Sequence, residues 1–133
     1  MILVDAGPLV ALIRRGDRHH ELCREALQRV REPLSTVWPV VTEAMFLLRS
    51  WRGQDALWEM VDSREVALTT LDEEDAPRMR DLMRKYKDLP MDLADAALVC
   101  AAEKLRVTKI FTLDRRDFSI YRPRGREPFS LLP

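Results

Sequence analysis

Acidic side chains are the residues of this chain most able to do chemistry. Asp5 ends the apolar run Ile2 to Val4, and Glu43 sits within TEAMFLL. Asp92 and Asp95 head the stretch DLADAALVCAA, and Asp114 follows KIFTL. Taken singly, each has an ordinary explanation. A loop Asp bonds its own backbone, and an Asp at a helix start with a second acid three residues on caps that helix and suits its dipole. That account serves for Asp92. Glu43 and Asp95 resist it: on a helical wheel Glu43 lies between Val40 and Leu47, and Asp95 is flanked by Val99 and Ala102. Both carboxylates are then partly desolvated and need a partner. The sequence offers no evident buried base. Asp5, Glu43, Asp95 and Asp114 packed together would repel and take up protons. A hard divalent cation, Mg²⁺ or Mn²⁺, held by oxygen ligands removes the conflict. Such an ion can hold a phosphate oxygen and acidify water, the chemistry of phosphodiester hydrolysis.

Other chemistries fit less well. His19 and His20 are adjacent, so on a helix they point about 100° apart and do not easily share an ion. Cys23 and Cys100 are too few and too far apart for a disulfide framework or a zinc site, and Cys100 reads as a small core residue. The four glycines are scattered and form no phosphate loop. Net charge is zero, which by itself gives no reason to expect nucleic acid. The distribution says more: between Lys104 and Arg126 eight basic residues face only Asp114 and Asp117. Most are Arg, whose planar fork suits phosphate, although a charge run is more often a solvated face.

The elements that must position the acids follow from pattern. The 133 residues suit one domain, and a chain of this size buries roughly two thirds of its unfolded surface. No 18-residue apolar run spans a membrane. The start, MILVDAGPLVAL, lacks a basic n-region, so it is not a signal peptide and the expected compartment is the cytoplasm. Strands are expected at Ile2 to Val4, Leu34 to Val37, Val66 to Thr69 and Lys109 to Leu113, with an edge strand at Phe129 to Leu132. Between them the pattern predicts helices. The first starts at Leu9 after a Gly7-Pro8 break. The second runs from His19 to Val30, with Leu22, Ala26, Leu27 and Val30 on its inner face. The third runs from Pro39 to Trp51, ended by Gly53, with Val40, Ala44, Leu47, Leu48 and Trp51 inward. Others cover Asp55 to Val61, Asp72 or Asp75 to Tyr86, and a helix from Asp92 that is apolar nearly all round. Strands alternating with helices make an α/β domain with a mainly parallel sheet. In such sheets ligands bind outside the carboxyl ends of the strands, where Asp5 and Asp114 fall.

Four motifs in order, VDAGPLVAL, TEAMFLL, DLADAALVCAAEKL and FTLDRRDF, give the chain a resemblance to the PIN-domain ribonucleases. It is similar in particular to VapC-type toxins of prokaryotic toxin–antitoxin pairs, over nearly its whole length. The resemblance implies a three-layer, flavodoxin-like α/β/α fold over residues 1–133. It implies Mg²⁺- or Mn²⁺-dependent cleavage of RNA, frequent homodimers, and a cognate antitoxin that blocks the site. It implies Asp5, Glu43, Asp95 and Asp114 as the metal-binding and catalytic acids, Thr112 as a hydroxyl that helps order them, and Asp117 as an additional acid. Many relatives carry Thr or Ser after the first Asp; here that position is Ala6. Arg115 and Arg116, with Arg122 to Arg126, become candidate contacts to RNA phosphates.

Alternatives within the fold are a housekeeping RNA-processing nuclease and a non-catalytic module that binds RNA or protein. A phosphatase of the haloacid-dehalogenase type would want a second Asp at position 7, which is Gly, and a receiver domain would want a Lys near the acids.

Overall fold

The computed structural model describes residues 1–125 and 127–133; Arg126, counted in the basic stretch above, lies outside the described residues. Five short strands, β1 (Ile2–Val4), β2 (Leu34–Thr36), β3 (Val66–Leu68), β4 (Lys109–Phe111) and β5 (Ser130–Leu132), form one sheet in the order β3-β2-β1-β4-β5. All four pairings are parallel. The expected edge strand is therefore present, beside β4. Helices flank this sheet, as parallel crossovers require. They are α1 (Ala6–Ile13), α2 (His20–Arg29), α3 (Trp38–Leu48), α4 (Trp51–Asp62), α5 (Ala76–Lys85), α6 (Leu93–Leu105) and α7 (Arg115–Ile120). Among the described residues no helix is long and apolar enough to cross a membrane.

The strand order reverses at β1. The chain runs outward through β2 and β3, then returns to place β4 on the other side of β1. That reversal, at the carboxyl ends of β1 and β4, marks the usual place for a ligand in an open parallel sheet. Residues Leu3 and Val4 pair with Ile110 and Phe111, so the segments after them, at Asp5 and Thr112, emerge side by side.

Several boundaries differ from expectation. Gly7-Pro8 does not delay α1, which begins directly after Asp5, because a proline in the first turn sacrifices no intrahelical bond. A Cβ on Gly7 would stand 3.3 Å from Leu113 Cδ1, so glycine lets α1 approach the segment after β4. The face of α2 turns inward on buried Cys23, leaving Leu22 50% exposed. The expected third helix divides in two. Arg49 takes a left-handed φ of 62° at the end of α3, and Ser50 caps α4 by accepting from the Gly53 N–H at 3.2 Å. Gly53 thus lies inside α4 rather than ending a helix; its missing Cβ would stand 3.2 Å from Leu48 Cδ2. Trp51 and Leu47, assigned inward from the wheel, are exposed. Asp72 caps a 3₁₀ turn (Glu73–Asp75) through a capping box, and α5 follows at once. The helix α7 was not anticipated; six residues are too few to show a helical period.

Helix α6 packs against α3 and α5. From Ala94 to Ala102 every residue except Asp95 is buried. Four of the residues around it, Ala96, Ala97, Ala101 and Ala102, are small enough for the helix to approach its neighbours closely. An Asp held on such a helix is fixed wherever the packing puts it.

Candidate metal centre

Asp5 leaves β1 and becomes the N-cap of α1. Its Oδ1 accepts from the Ala6 N–H at 2.8 Å and its Oδ2 from the Thr112 hydroxyl at 2.8 Å. The same hydroxyl oxygen accepts from the Asp114 N–H at 2.9 Å. A threonine serves here because one oxygen both donates and accepts. Thr112 is fully buried and Asp5 nearly so, so this bridge ties the ends of two neighbouring strands and orients the acid each carries. Thr36 adds a second tie, donating to the Val4 carbonyl at 2.7 Å.

Asp95 enters from α6. Its N–H donates to the Asp92 carboxylate at 2.9 Å, so Asp92 is the cap of that helix. The Asp95 Oδ2 accepts from the Tyr121 hydroxyl at 2.8 Å. Asp114 is the N-cap of α7 and accepts from the Asp117 N–H at 3.2 Å. Carboxylate oxygens of Asp95, Asp114 and Asp117 lie within 4.8 Å of one another, close enough for three ligands to reach one ion at roughly 2.0–2.6 Å. Asp5 and Glu43 are not part of that trio at this spacing. Glu43 comes from α3, which packs against α6, and is half-buried.

The acids nonetheless share one field. Burial, then the charges of Asp5, Asp92 and Asp114, raises the Glu43 carboxyl above its ordinary range. Burial raises Asp5, opposed by the bonds from Thr112 and Ala6 and reinforced by Asp114 and Asp92. Burial pushes Asp95 up to about 8; the Tyr121 bond opposes that, and the charges of Asp5, Asp92 and Asp114 add to it. Asp117 is raised by burial and then by Asp114. Among the described residues no salt bridge reaches any of these acids. A set of acidic oxygen donors with no salt-bridged cation among the described residues, Arg116 acting on Asp117 only by its charge, fits a hard divalent ion. Asp92 was assigned from sequence only as a cap, yet its charge falls on Asp5, Glu43, Asp95 and Asp117.

The remaining candidates are placed elsewhere. Arg115 donates to the Pro133 carbonyl at 3.0 Å, and Arg116 is exposed beside Asp117. Arg122 spends one guanidinium nitrogen on the carbonyls of Ser119, Ile120 and Tyr121, which closes α7. The Arg124 N–H donates to Glu103. His20 bonds the Ala11 carbonyl at 2.7 Å, joining α2 to α1. Both cysteines are buried, and burial pushes each thiol up, Cys23 to about 11, so neither is a ready nucleophile. Tyr121 is the contact that sequence reasoning missed. It stands just past the six residues of α7, and no local pattern marks its hydroxyl as a partner of Asp95.

Comparison with known proteins agrees with this architecture. Residues 2–122 match the PIN domain family. The chain is 30% identical to Ribonuclease VapC26 of Mycobacterium tuberculosis over 137 aligned positions, covering 99% of this chain and 100% of that protein. Among solved structures, Mycobacterium tuberculosis VapC20, described as a sarcin-ricin loop cleaving toxin, superposes with a TM-score of 0.80 at 18% identity, over 87% of this chain and 92% of that one. A toxin–antitoxin complex from Klebsiella pneumoniae gives a TM-score of 0.69 at 19% identity, over 90% of this chain and 91% of that one. FitAcB from Neisseria gonorrhoeae gives 0.62 at 18% identity, over 94% and 99%.

Proposed function

Since the chain belongs to the PIN-domain family, we propose that it is a metal-dependent endoribonuclease and the toxin of a type II toxin–antitoxin pair. One observation carries the reading: carboxylates from four separate segments share one field at the switch point of the sheet, and Asp95, Asp114 and Asp117 approach within 4.8 Å. The full-length similarity to a ribonuclease supports the choice of RNA as substrate.

In this reading Asp5, Glu43, Asp95 and Asp114 hold Mg²⁺ or Mn²⁺, with Asp117 as an additional acid. When bound, the ion supplies Lewis-acid polarisation of the phosphodiester and of the attacking water. Thr112 keeps Asp5 and Asp114 in register through its two hydrogen bonds. Asp92 adds negative charge and caps α6. Among the described residues no hydrogen bond ties down the Glu43 side chain, and its carboxyl has a raised proton affinity. Arg115 and Arg116 lie next to Asp114 in the chain and hold RNA phosphates by charge.

The partners proposed are RNA, an antitoxin and a second copy of the chain, acting in the cytoplasm. Exposed Phe46, Trp51 and the tilted pair Trp38–Trp58, whose centroids are 6.1 Å apart, support a covered face on α3 and α4. The purified protein should cleave RNA with Mg²⁺ or Mn²⁺ and stop in EDTA. Undiminished cleavage by the Asp95→Asn protein would sink the assignment. Expression without a partner should arrest growth; normal growth with active enzyme would remove the toxin role and leave the nuclease.

A further inference from the structure

We propose that Tyr121 is a positioning residue of the metal centre, acting through Asp95. The inference rests on the metal-binding reading above and concerns a residue outside the acid set. Tyr121 is the C-cap of α7 and is fully buried. Its hydroxyl donates to Asp95 Oδ2 at 2.8 Å. A tyrosine with its polar end buried requires such a partner, and among the described side chains that partner is a carboxylate of the candidate metal centre.

Two aromatic rings pack against that of Tyr121. Tyr86 meets it edge-on with centroids 5.0 Å apart, and Phe118 does the same at 5.1 Å. Its backbone is held too: the Tyr121 N–H donates to the Asp117 carbonyl at 3.1 Å. Tyr86 is anchored in turn, its hydroxyl accepting from the Arg122 N–H at 2.9 Å. The hydroxyl of Tyr121 therefore has little freedom, and neither does the oxygen it binds. With Oδ2 fixed, the plane of the Asp95 carboxylate is fixed as well.

The arrangement links the whole trio. Asp114 begins α7, Asp117 lies in its first turn, and Tyr121 closes it. One short helix thus supplies two of the three clustered acids and the group that orients the third. Hydroxyl and backbone donors to metal-binding carboxylates set ligand orientation, and losing one typically weakens metal affinity by about 10- to 100-fold.

The test is Mn²⁺ titration of the purified full chain, following free Mn²⁺ by electron paramagnetic resonance. The parent, Tyr121→Phe and Tyr86→Phe are compared. Tyr121→Phe keeps the ring and removes only the donor. It should weaken Mn²⁺ binding by about tenfold, while its circular dichroism matches the parent and raised Mn²⁺ restores cleavage of RNA. Tyr86→Phe keeps the ring that meets Tyr121 and loses only the bond from the Arg122 N–H, with no contact to an acid changed, and should lose less Mn²⁺ affinity than Tyr121→Phe does. Parental affinity in Tyr121→Phe overturns the positioning role and leaves the metal site standing. Equal losses in both variants overturn it too, since packing alone would then explain the effect. Absence of Mn²⁺ binding by the parent overturns both this role and the metal reading.

Discussion

Replacing Asp95 by Asn is expected to abolish metal-dependent cleavage and, without metal, to make the protein more stable at pH 8. The reason is the cost of ionising this side chain in place. Asp95 is pushed up to about 8 from an ordinary 3.8, by burial first and by the charges of Asp5, Asp92 and Asp114. Between those values the folded chain retains a proton that the unfolded chain has released. Stability therefore falls as pH rises through the window, and the loss is complete once pH exceeds about 8. At about 1.4 kcal/mol per tenfold change in proton affinity, the whole interval corresponds to about 6 kcal/mol. Asp95 is partly open to solvent and its neighbours share the titration, so about 2–3 kcal/mol is the working figure. For a domain of this size that is roughly 5–10 °C in melting temperature. Asn carries no charge at any pH and keeps an oxygen for the Tyr121 hydroxyl. Near pH 5 the parent Asp95 is itself protonated, so the two proteins should differ by less than about 1 kcal/mol there. The assay is urea unfolding of both proteins in EDTA at pH 5 and pH 8. A gap that is equal at the two pH values, or an Asn variant less stable at pH 8, would refute the electrostatic account. Mn²⁺ at about a hundred times its dissociation constant should stabilise the parent alone, by about 2.7 kcal/mol.

Other perturbations test the parts that hold the site. Thr112→Val removes the hydroxyl shared by Asp5 and Asp114; it should lower stability by about 1–3 kcal/mol in urea unfolding and weaken Mn²⁺ binding by about tenfold. Ala97→Leu, at a fully buried position of α6, should cost about 1–3 kcal/mol by overpacking and displace Asp95, read as reduced Mn²⁺ affinity. Arg115→Ala combined with Arg116→Ala should reduce the salt dependence of RNA binding by a slope of about 1.4, measured in an Asp95→Asn background so that RNA survives. An unchanged slope would free the pair from any role in holding phosphate.

How far the sequence could be read depended on how local each signal was. β1 and α6 were legible because a continuous apolar run and a capped, nearly all-apolar helix need no knowledge of their neighbours. The break between α3 and α4 was not. Continuing the α3 wheel placed Trp51 inward, whereas the chain turns at Arg49 through a left-handed φ and restarts at Ser50. A glycine near a predicted helix end invites reading as a stop, yet Gly53 is there for close approach to Leu48. Only the packed structure separates those two uses of the same residue.

Glu43 and Asp95 stood out for a different reason: each conflicts with its surroundings, whereas Asp5 and Asp114 drew notice only by their place at strand ends. A carboxylate on the packed α6 is expected to lower the stability of the metal-free fold, as a partly buried charge without a partner does, and such a conflict marks a candidate site. What makes the conflict tolerable was harder to read. Thr112 was named only through the family resemblance and Tyr121 not at all, because by themselves they look like ordinary residues of a strand end and a helix end. Their importance lies in which carboxylate each hydroxyl meets, a long-range fact set by β1 and β4 lying side by side and by α7 folding back toward α6. Asp92 makes the same point from the other side. Its capping bond is local and was visible, whereas its charge reaches Asp5 and Glu43 only through the fold. A test follows: Asp92→Asn retains a capping oxygen while removing that charge. It should leave α6 intact, lower the proton affinity of Asp95, and weaken Mn²⁺ binding less than Asp95→Asn does. If Asp92→Asn eliminates Mn²⁺ binding as completely as Asp95→Asn, then Asp92 is a ligand and its capping bond is secondary.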